Sequence, residues 1–260
     1  MNTRFDLAIV IPCYNEAQRL RVAHYKSFLK QHPKAFICFV NDGSTDETLE
    51  VLEEIRSAYP SQVFAINQSK NQGKAEAVRT GVLHCGKEFY AEKIAYLDAD
   101  LSTSLEECLE ISEKLSSSTY FAFGSRIAKL DCTIDRKHYR FLIGRCIATL
   151  ISRQLNLKIY DTQCGCKVFK QSLGMLLFQE KFISRWLFDV ELFHRLIAIY
   201  GRRQLKDIAK EIPLQSWCDT DDSKVPLSYF FKLWIDLRNI GKAYKNTNKQ
   251  LSEQNETILE

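Results

Sequence analysis

Short apolar runs bounded by polar, turn-forming residues set the first pattern along the chain. Leu7–Ile11 (LAIVI) is closed by Pro12, and Ala35–Val40 (AFICFV) runs into the turn residues Asn41–Asp46. Bounded runs of this kind predict buried strands. Val63–Asn67, Ile94–Leu97 and Tyr120–Phe123 repeat the pattern. Between them, helical spacing covers Asn15–Gln31, Glu47–Tyr59, Lys74–Cys85 and Leu105–Leu115, with Thr45 or Asp46 expected to cap the second helix. Alternating strands and helices predict an α/β fold, a mostly parallel, doubly wound sheet with helices on both faces. Such sheets bind ligands at the carboxyl ends of their strands, so chemistry is expected in the turn after each strand.

Beyond Ser125 the spacing changes. Asp135–Leu155 predicts a basic amphipathic helix, with Leu142, Cys146, Thr149 and Leu150 near one stripe and Arg136, Arg140 and Arg145 along the segment. A loop over Asp161–Lys167, helices around Gly174–Phe178 and Leu187–Tyr200, and a strand within Ile208–Trp217 follow. Pro226–Tyr244 predicts a second amphipathic helix. Trp234, Phe230, Phe231 and Leu237 form its apolar stripe, beside Lys232, Arg238, Lys242 and Lys245. That helix is expected to pack on the rest of the domain, on a second subunit in a homodimer, or on a membrane surface. From Asn246 the chain is polar and is expected to be a disordered tail.

Composition narrows the class. With 260 residues, 45% apolar and 26% charged, the chain can build its own core, which excludes wholesale disorder and collagen-like repeats. Thirty-six basic against 32 acidic residues leave a net charge of +4, too mild to argue for nucleic acid but tolerant of an acidic substrate or an anionic membrane. No apolar run approaches the roughly 18 residues that would cross a bilayer, and Met1–Asp6 does not read as a signal peptide. Nine cysteines, an odd and scattered set, fit free thiols in a reducing cytoplasm. Cys164 and Cys166 lack the second pair or nearby His that zinc would need.

Three turns carry unusual residues: Pro12-Cys13-Tyr14-Asn15-Glu16, Asn41-Asp42-Gly43-Ser44-Thr45-Asp46, and Asp98-Ala99-Asp100. Asp98 and Asp100 share one face of extended backbone. Carboxylates so close repel unless a cation or donors join them. A strand end rich in oxygen suits Mg²⁺ or Mn²⁺, which in turn bridges phosphate oxygens.

Together with Asn71-Gln72-Gly73-Lys74, these motifs resemble, in order and spacing, the inverting family-two glycosyltransferases of the GT-A fold. The likeness covers residues 7–126 and runs on through Gly124-Ser125-Arg126, Asp161-Thr162-Gln163-Cys164-Gly165-Cys166-Lys167 and Arg185-Trp186-Leu187-Phe188-Asp189-Val190-Glu191-Leu192. Those later blocks are similar to the dolichyl-phosphate glucosyltransferase branch, close to the dolichyl-phosphate mannosyltransferases. Ser102 and Cys166 depart from the commoner residues of the pattern. The resemblance implies one domain over residues 1–245, residues 7–126 forming the nucleotide-sugar half and 127–245 the acceptor half.

It further implies that Pro12, Tyr14, Glu16 and Asp42 contact base and ribose, and that Lys74 meets ribose or phosphate. Asp98, Ala99 and Asp100 are expected to bind the nucleotide sugar, Asp100 and Asp98 holding Mg²⁺ or Mn²⁺. Arg126, with one of Arg136, Arg140 or Arg145, is expected to grip a diphosphate or acceptor phosphate, the planar fork of Arg binding phosphate oxygens in pairs. Gln163 and Lys167 belong to the same expected acceptor set. A lipid phosphate is already anionic and needs no strong base; a hydroxyl acceptor would need one. The candidate bases are Asp189, Glu191 and Asp161, the first two lying roughly 160° apart on a helix.

The implied activity is transfer of a hexose, glucose from UDP-glucose above mannose from GDP-mannose, to a polyprenyl or dolichyl-type phosphate. The enzyme is expected in the cytoplasm or on the inner face of a membrane. Rivals are transfer to a glycan hydroxyl, a sugar-nucleotide pyrophosphorylase, and a non-catalytic nucleotide-sugar-binding protein. Pro12–Glu16 lacks the Gly-rich phosphate loop of the second rival.

Overall fold

The computed structural model describes residues 4–127, 132–135, 138–218 and 232–245. The strands are β1 (Arg4–Cys13), β2 (Ala35–Asn41), β3 (Val63–Asn67), β4 (Tyr90–Leu97), β5 (Phe121–Ser125), β6 (Thr133–Asp135), β7 (Cys166–Lys170), β8 (Ala209–Pro213) and β9 (Ser216–Cys218). The helices are α1 (Val22–Gln31), α2 (Thr48–Ala58), α3 (Lys74–Glu88), α4 (Leu105–Glu113), α5 (His138–Leu155), α6 (Gln171–Leu177) and α7 (Phe188–Ile208). A last helix, α8, covers residues 232–245.

Seven strands form one sheet in the order β3-β2-β1-β4-β7-β5-β8. All neighbours are parallel except β7, which runs antiparallel to both β4 and β5. The fully apolar β2, buried at every position, is what a central strand covered on both faces requires. Each face carries its own core. One gathers Val10, Val78, Val82, Phe121, Phe169 and Phe193 under α3, α6 and α7; the other gathers Ile9, Tyr25, Phe28, Phe39, Leu52 and Ile111 under α1, α2 and α4.

The five expected strands form. Three departures have local causes. The expected loop over Asp161–Lys167 turns at Cys166 into β7, which inserts between β4 and β5. Its alternation is disguised because Lys167 is fully buried. The helix expected from Asn15 starts only at Val22, because Asn15 sits at φ 51° and the side chains of Ser44, Asp46 and Thr48 take the amides of Asn15–Ala17. The strand expected over Ile208–Trp217 is two strands in two sheets, β8 beside β5 and β9 beside β6. The cap of the second helix falls at Glu47 and makes no side-chain cap bond, not at Thr45 or Asp46 as expected; Asp46 accepts from the Thr48 amide at 3.1 Å from one position further out.

The apolar stripe expected on the last helix is rotated. Leu233, Leu237 and Ile240 pack on the core, whereas Trp234 points to the opposite side. Phe230, Phe231, Arg136 and the tail lie outside the described residues. Among the described residues, no helix is long and apolar enough to cross a membrane.

Helices α5, α7 and α8 meet at His194, whose ring stacks on Tyr244 at 5.3 Å and lies 3.2 Å from the Gln154 side-chain nitrogen. Burial lowers the imidazole from 6.5 to about 4, and Arg202 adds to the effect. A histidine depressed in the folded state stabilises the fold fully above its unfolded value and loses that contribution as pH falls through the folded one. Stability is therefore expected to fall by about 3 kcal/mol between the unfolded value near pH 6.5 and the folded value near 4. Urea unfolding across that window should show a flatter acid limb for His194→Phe.

Candidate active site

The first two turns at the carboxyl edge of the sheet are stitched together by short polar side chains. Asn15 Oδ1 accepts from the Thr45 amide at 2.8 Å, and the Asn15 amide donates to Ser44 Oγ at 3.0 Å. Asp42, buried beneath them, accepts from the amides of Gln72 at 2.7 Å and Gly73 at 2.8 Å. Burial raises its carboxyl above the ordinary value, opposed by those two amides. Asp42, expected at the base, thereby also shapes the loop that delivers Lys74. Gly73 takes φ 97°, which a side chain would strain, and Arg185 closes over it, donating to the Gln72 carbonyl at 3.0 Å. Tyr14 stands exposed at the rim, and Glu16 is buried nearby.

The acidic motif is held by cations on both sides. Lys74 Nζ lies 2.5 Å from Asp98 Oδ1, at the start of α3. Arg19 reaches Asp100 Oδ2 at 3.5 Å and Glu16 at 3.4 Å. Burial raises the Asp98 carboxyl, with Lys74 opposing and Asp100 adding to the shift. Burial would lower the Lys74 ammonium, but Asp98 and Asp189 outweigh it and leave it raised. Asp100 Oδ1 accepts from the Ser102 amide at 2.9 Å, and Leu101 between them turns at φ 51°.

The Asp161 block supplies the other wall. Arg126 and Asp161 form a two-pronged ion pair, Nε to Oδ2 at 2.6 Å and Nη2 to Oδ1 at 2.9 Å. Burial would push the Asp161 carboxyl up, but Arg126 and the amides of Arg126 and Gln163 hold it well below the usual carboxylate range. Asp161 therefore makes a poor proton acceptor. Glu211 fixes the strand end by accepting from Ser125 Oγ and the Asp161 amide, both at 2.7 Å.

Beside the pair opens a small pocket lined by Arg126, Arg145, Tyr160, Asp161, Thr162 and Gln163 among others. Arg145 lies over the Tyr160 ring at 3.7 Å and donates to its carbonyl at 2.7 Å. Thr162 Oγ1 is buried without a hydrogen-bond partner among the described residues.

Three expected roles need correction. Lys167, placed with the acceptor, is fully buried and bonds Asp189 at 2.8 Å and the Cys164 carbonyl at 2.9 Å. Asp189, a candidate base, is buried between that ammonium and the Tyr96 hydroxyl, which donates to it. Glu191, another candidate, is buried against Arg195 at 2.8 Å, the Tyr244 hydroxyl at 3.0 Å and the Ile183 amide at 2.8 Å. Arg140 lies in α5, but its side chain falls outside the described residues.

The sequence reading missed Arg19 and Gly165. Arg19 sits three residues after Glu16, a spacing that could have flagged the pair. Gly165 is required by close approach. A Cβ there would lie 2.1 Å from Asp98 Oδ2, and its carbonyl accepts from the Asp98 amide at 3.0 Å.

Among the described residues, no group of three or more His, Cys, Asp or Glu side chains could hold a metal by itself. Two carboxylates at a strand tip are nonetheless the donor set that Mg²⁺ or Mn²⁺ takes when a substrate's phosphates complete its shell.

A mixed sheet with acidic turns at its carboxyl edge is the frame of a nucleotide-sugar transferase of the GT-A type. The glycosyl transferase family 2 model matches residues 8–174, and the chain belongs to that family. Among named relatives, a dolichyl-phosphate beta-glucosyltransferase of Trichomonas vaginalis is 34% identical over 91% of this chain and 71% of its own length. Those of Saccharomyces cerevisiae and Homo sapiens are 32% and 30% identical over 92% of the chain, and 75% and 76% of their own lengths. Glucosyl-3-phosphoglycerate synthase of Mycobacterium tuberculosis, solved with Mn²⁺, UDP-glucose and glycerol 3-phosphate, superposes with a TM-score of 0.63 at 14% identity, over 92% of this chain and 80% of that one. That likeness establishes the shared fold.

Gly165→Ala is expected to fold yet displace the Asp98 carboxylate, lowering kcat/KM by about 100-fold. Circular dichroism alongside steady-state kinetics checks this.

Proposed function

We propose that this enzyme transfers glucose from UDP-glucose to a polyprenyl phosphate of the dolichyl type, with inversion at the anomeric carbon. The relatives support the substrate pair, and one observation favours the phosphate acceptor. Each carboxylate considered as a base is already engaged, Asp161 by Arg126, Asp189 by Lys167 and Glu191 by Arg195. A hydroxyl acceptor would need one of them free. A phosphate oxygen arrives anionic and needs orientation and charge neutralisation.

In this reading the donor lies over the first turn, with Tyr14 and Glu16 at its base and ribose. Lys74, held by Asp98, stands beside the diphosphate. Asp98 and Asp100 would hold a divalent cation, which when bound neutralises the diphosphate as it leaves. Arg126 keeps its guanidinium aimed by Asp161, and the pocket it shares with Arg145, Thr162 and Gln163 takes the acceptor phosphate. Thr162 Oγ1 supplies a donor that no other described residue takes up. The attacking oxygen forms the new bond to the anomeric carbon as the bond to UDP breaks, and no proton has to be removed.

Asp100→Ala is expected to abolish transfer while leaving the fold intact, and to remove the part of the UDP-glucose thermal shift that depends on Mn²⁺. Product analysis with polyprenyl phosphate and a panel of soluble sugars separates the two acceptor classes. Transfer to the sugars alone would overturn the phosphate reading.

A further inference from the structure

Helix α8 has two faces of different character. Leu233, Leu237 and Ile240 are buried in the core with Tyr244 packed beside them. The opposite face presents Trp234 and Ile235, each 59% exposed, in line with the exposed Arg238, Lys242 and Lys245. The loop entering α7 is tied to this helix. Ser184 Oγ donates to Asp236 Oδ2 at 2.7 Å, and Tyr244 and the Ile183 amide both donate to Glu191. That loop exposes two more large apolar residues, Ile183 and Trp186, and carries the cations Lys181 and Arg185. Four of the large exposed apolar side chains thus fall on two bonded segments, interleaved with positive charge. Scattered single apolar residues are normal on a surface; several on two bonded segments, set among cations, point to an interaction face.

We infer that this face docks on the surface of an anionic lipid bilayer. Trp234 and Ile235 enter the boundary between headgroups and acyl chains, and Arg238, Lys242 and Lys245 meet the lipid phosphates and carboxylates. Charge selects this occupant over a second copy of the chain, because a two-fold contact through this face would bring the same cations together. The position also suits the activity. Arg185, on the docking loop, bonds Asn71 and Gln72, the residues that lead into Lys74. A docked enzyme would thus hold its donor site next to the surface that carries a lipid acceptor. That last step rests on the polyprenyl-phosphate reading; the docking itself does not.

The test is co-sedimentation of the full chain with phosphatidylcholine vesicles, with and without phosphatidylserine, followed also by tryptophan fluorescence. Two double variants are compared, Trp234→Ser with Ile235→Ser, and Lys242→Glu with Lys245→Glu. Each is expected to weaken partitioning to the anionic vesicles by about tenfold or more. Transfer to a short, water-soluble polyprenyl phosphate should be unchanged in both. Binding that ignores phosphatidylserine, or that both variants retain, would overturn the inference. So would a wild-type dimer in light scattering that the variants dissolve, without vesicle binding. Vesicle binding without any transfer to polyprenyl phosphate would uphold the docking face and sink the acceptor reading instead.

Discussion

Carboxylates crowded around the tips of parallel strands cannot be left bare, and several in this molecule are met by a cation. Lys74 meets Asp98, Arg19 meets Asp100 and Glu16, Arg126 meets Asp161, and Lys167 meets Asp189. The pairs differ in depth and therefore in use. Those at Asp98 and Asp100 are partly open to solvent, so their oxygens can exchange a protein partner for a ligand. The Lys167–Asp189 pair is sealed, and breaking it would strand a charge away from water. It fixes the start of α7 against β7 and β4, and so holds the floor on which the open pairs stand.

Much of this was readable in advance, for a physical reason. Strand-end motifs are local: Pro12–Glu16, Asn41–Asp46 and Asp98–Asp100 announce themselves by residue type within a few positions. Their expected neighbourhood follows from sheet topology alone. Pairings that depend on tertiary register were hidden. Nothing in the spacing of Lys167 and Asp189 declares that an ammonium inside a strand will find a carboxylate at a helix start. Gly165 looks like a loop glycine until β7 brings it against Asp98. Trp234 was misplaced because helical periodicity says which residues share a stripe, not which of two plausible stripes faces inward.

Asp42 shows how a motif residue can carry a task that its type does not announce. The residue type suggests a direct contact with the nucleotide. The geometry adds a hold on the amides of Gln72 and Gly73, so that one carboxylate links the second strand's turn to the loop before α3. Removing it would loosen the position of Lys74 without touching Lys74 itself.

The antiparallel β7 carries a consequence for how the chain is made. Among the described residues, strand β5 has β7 and β8 as its neighbours in the sheet, and β4 completes its second edge with β7. As the nascent polypeptide leaves the ribosome, the first five strands are therefore synthesised while β5 still lacks every strand partner and β4 lacks one of its two. The sheet closes only when β7 and β8 arrive, so the segments before and after β5 complete one sheet together.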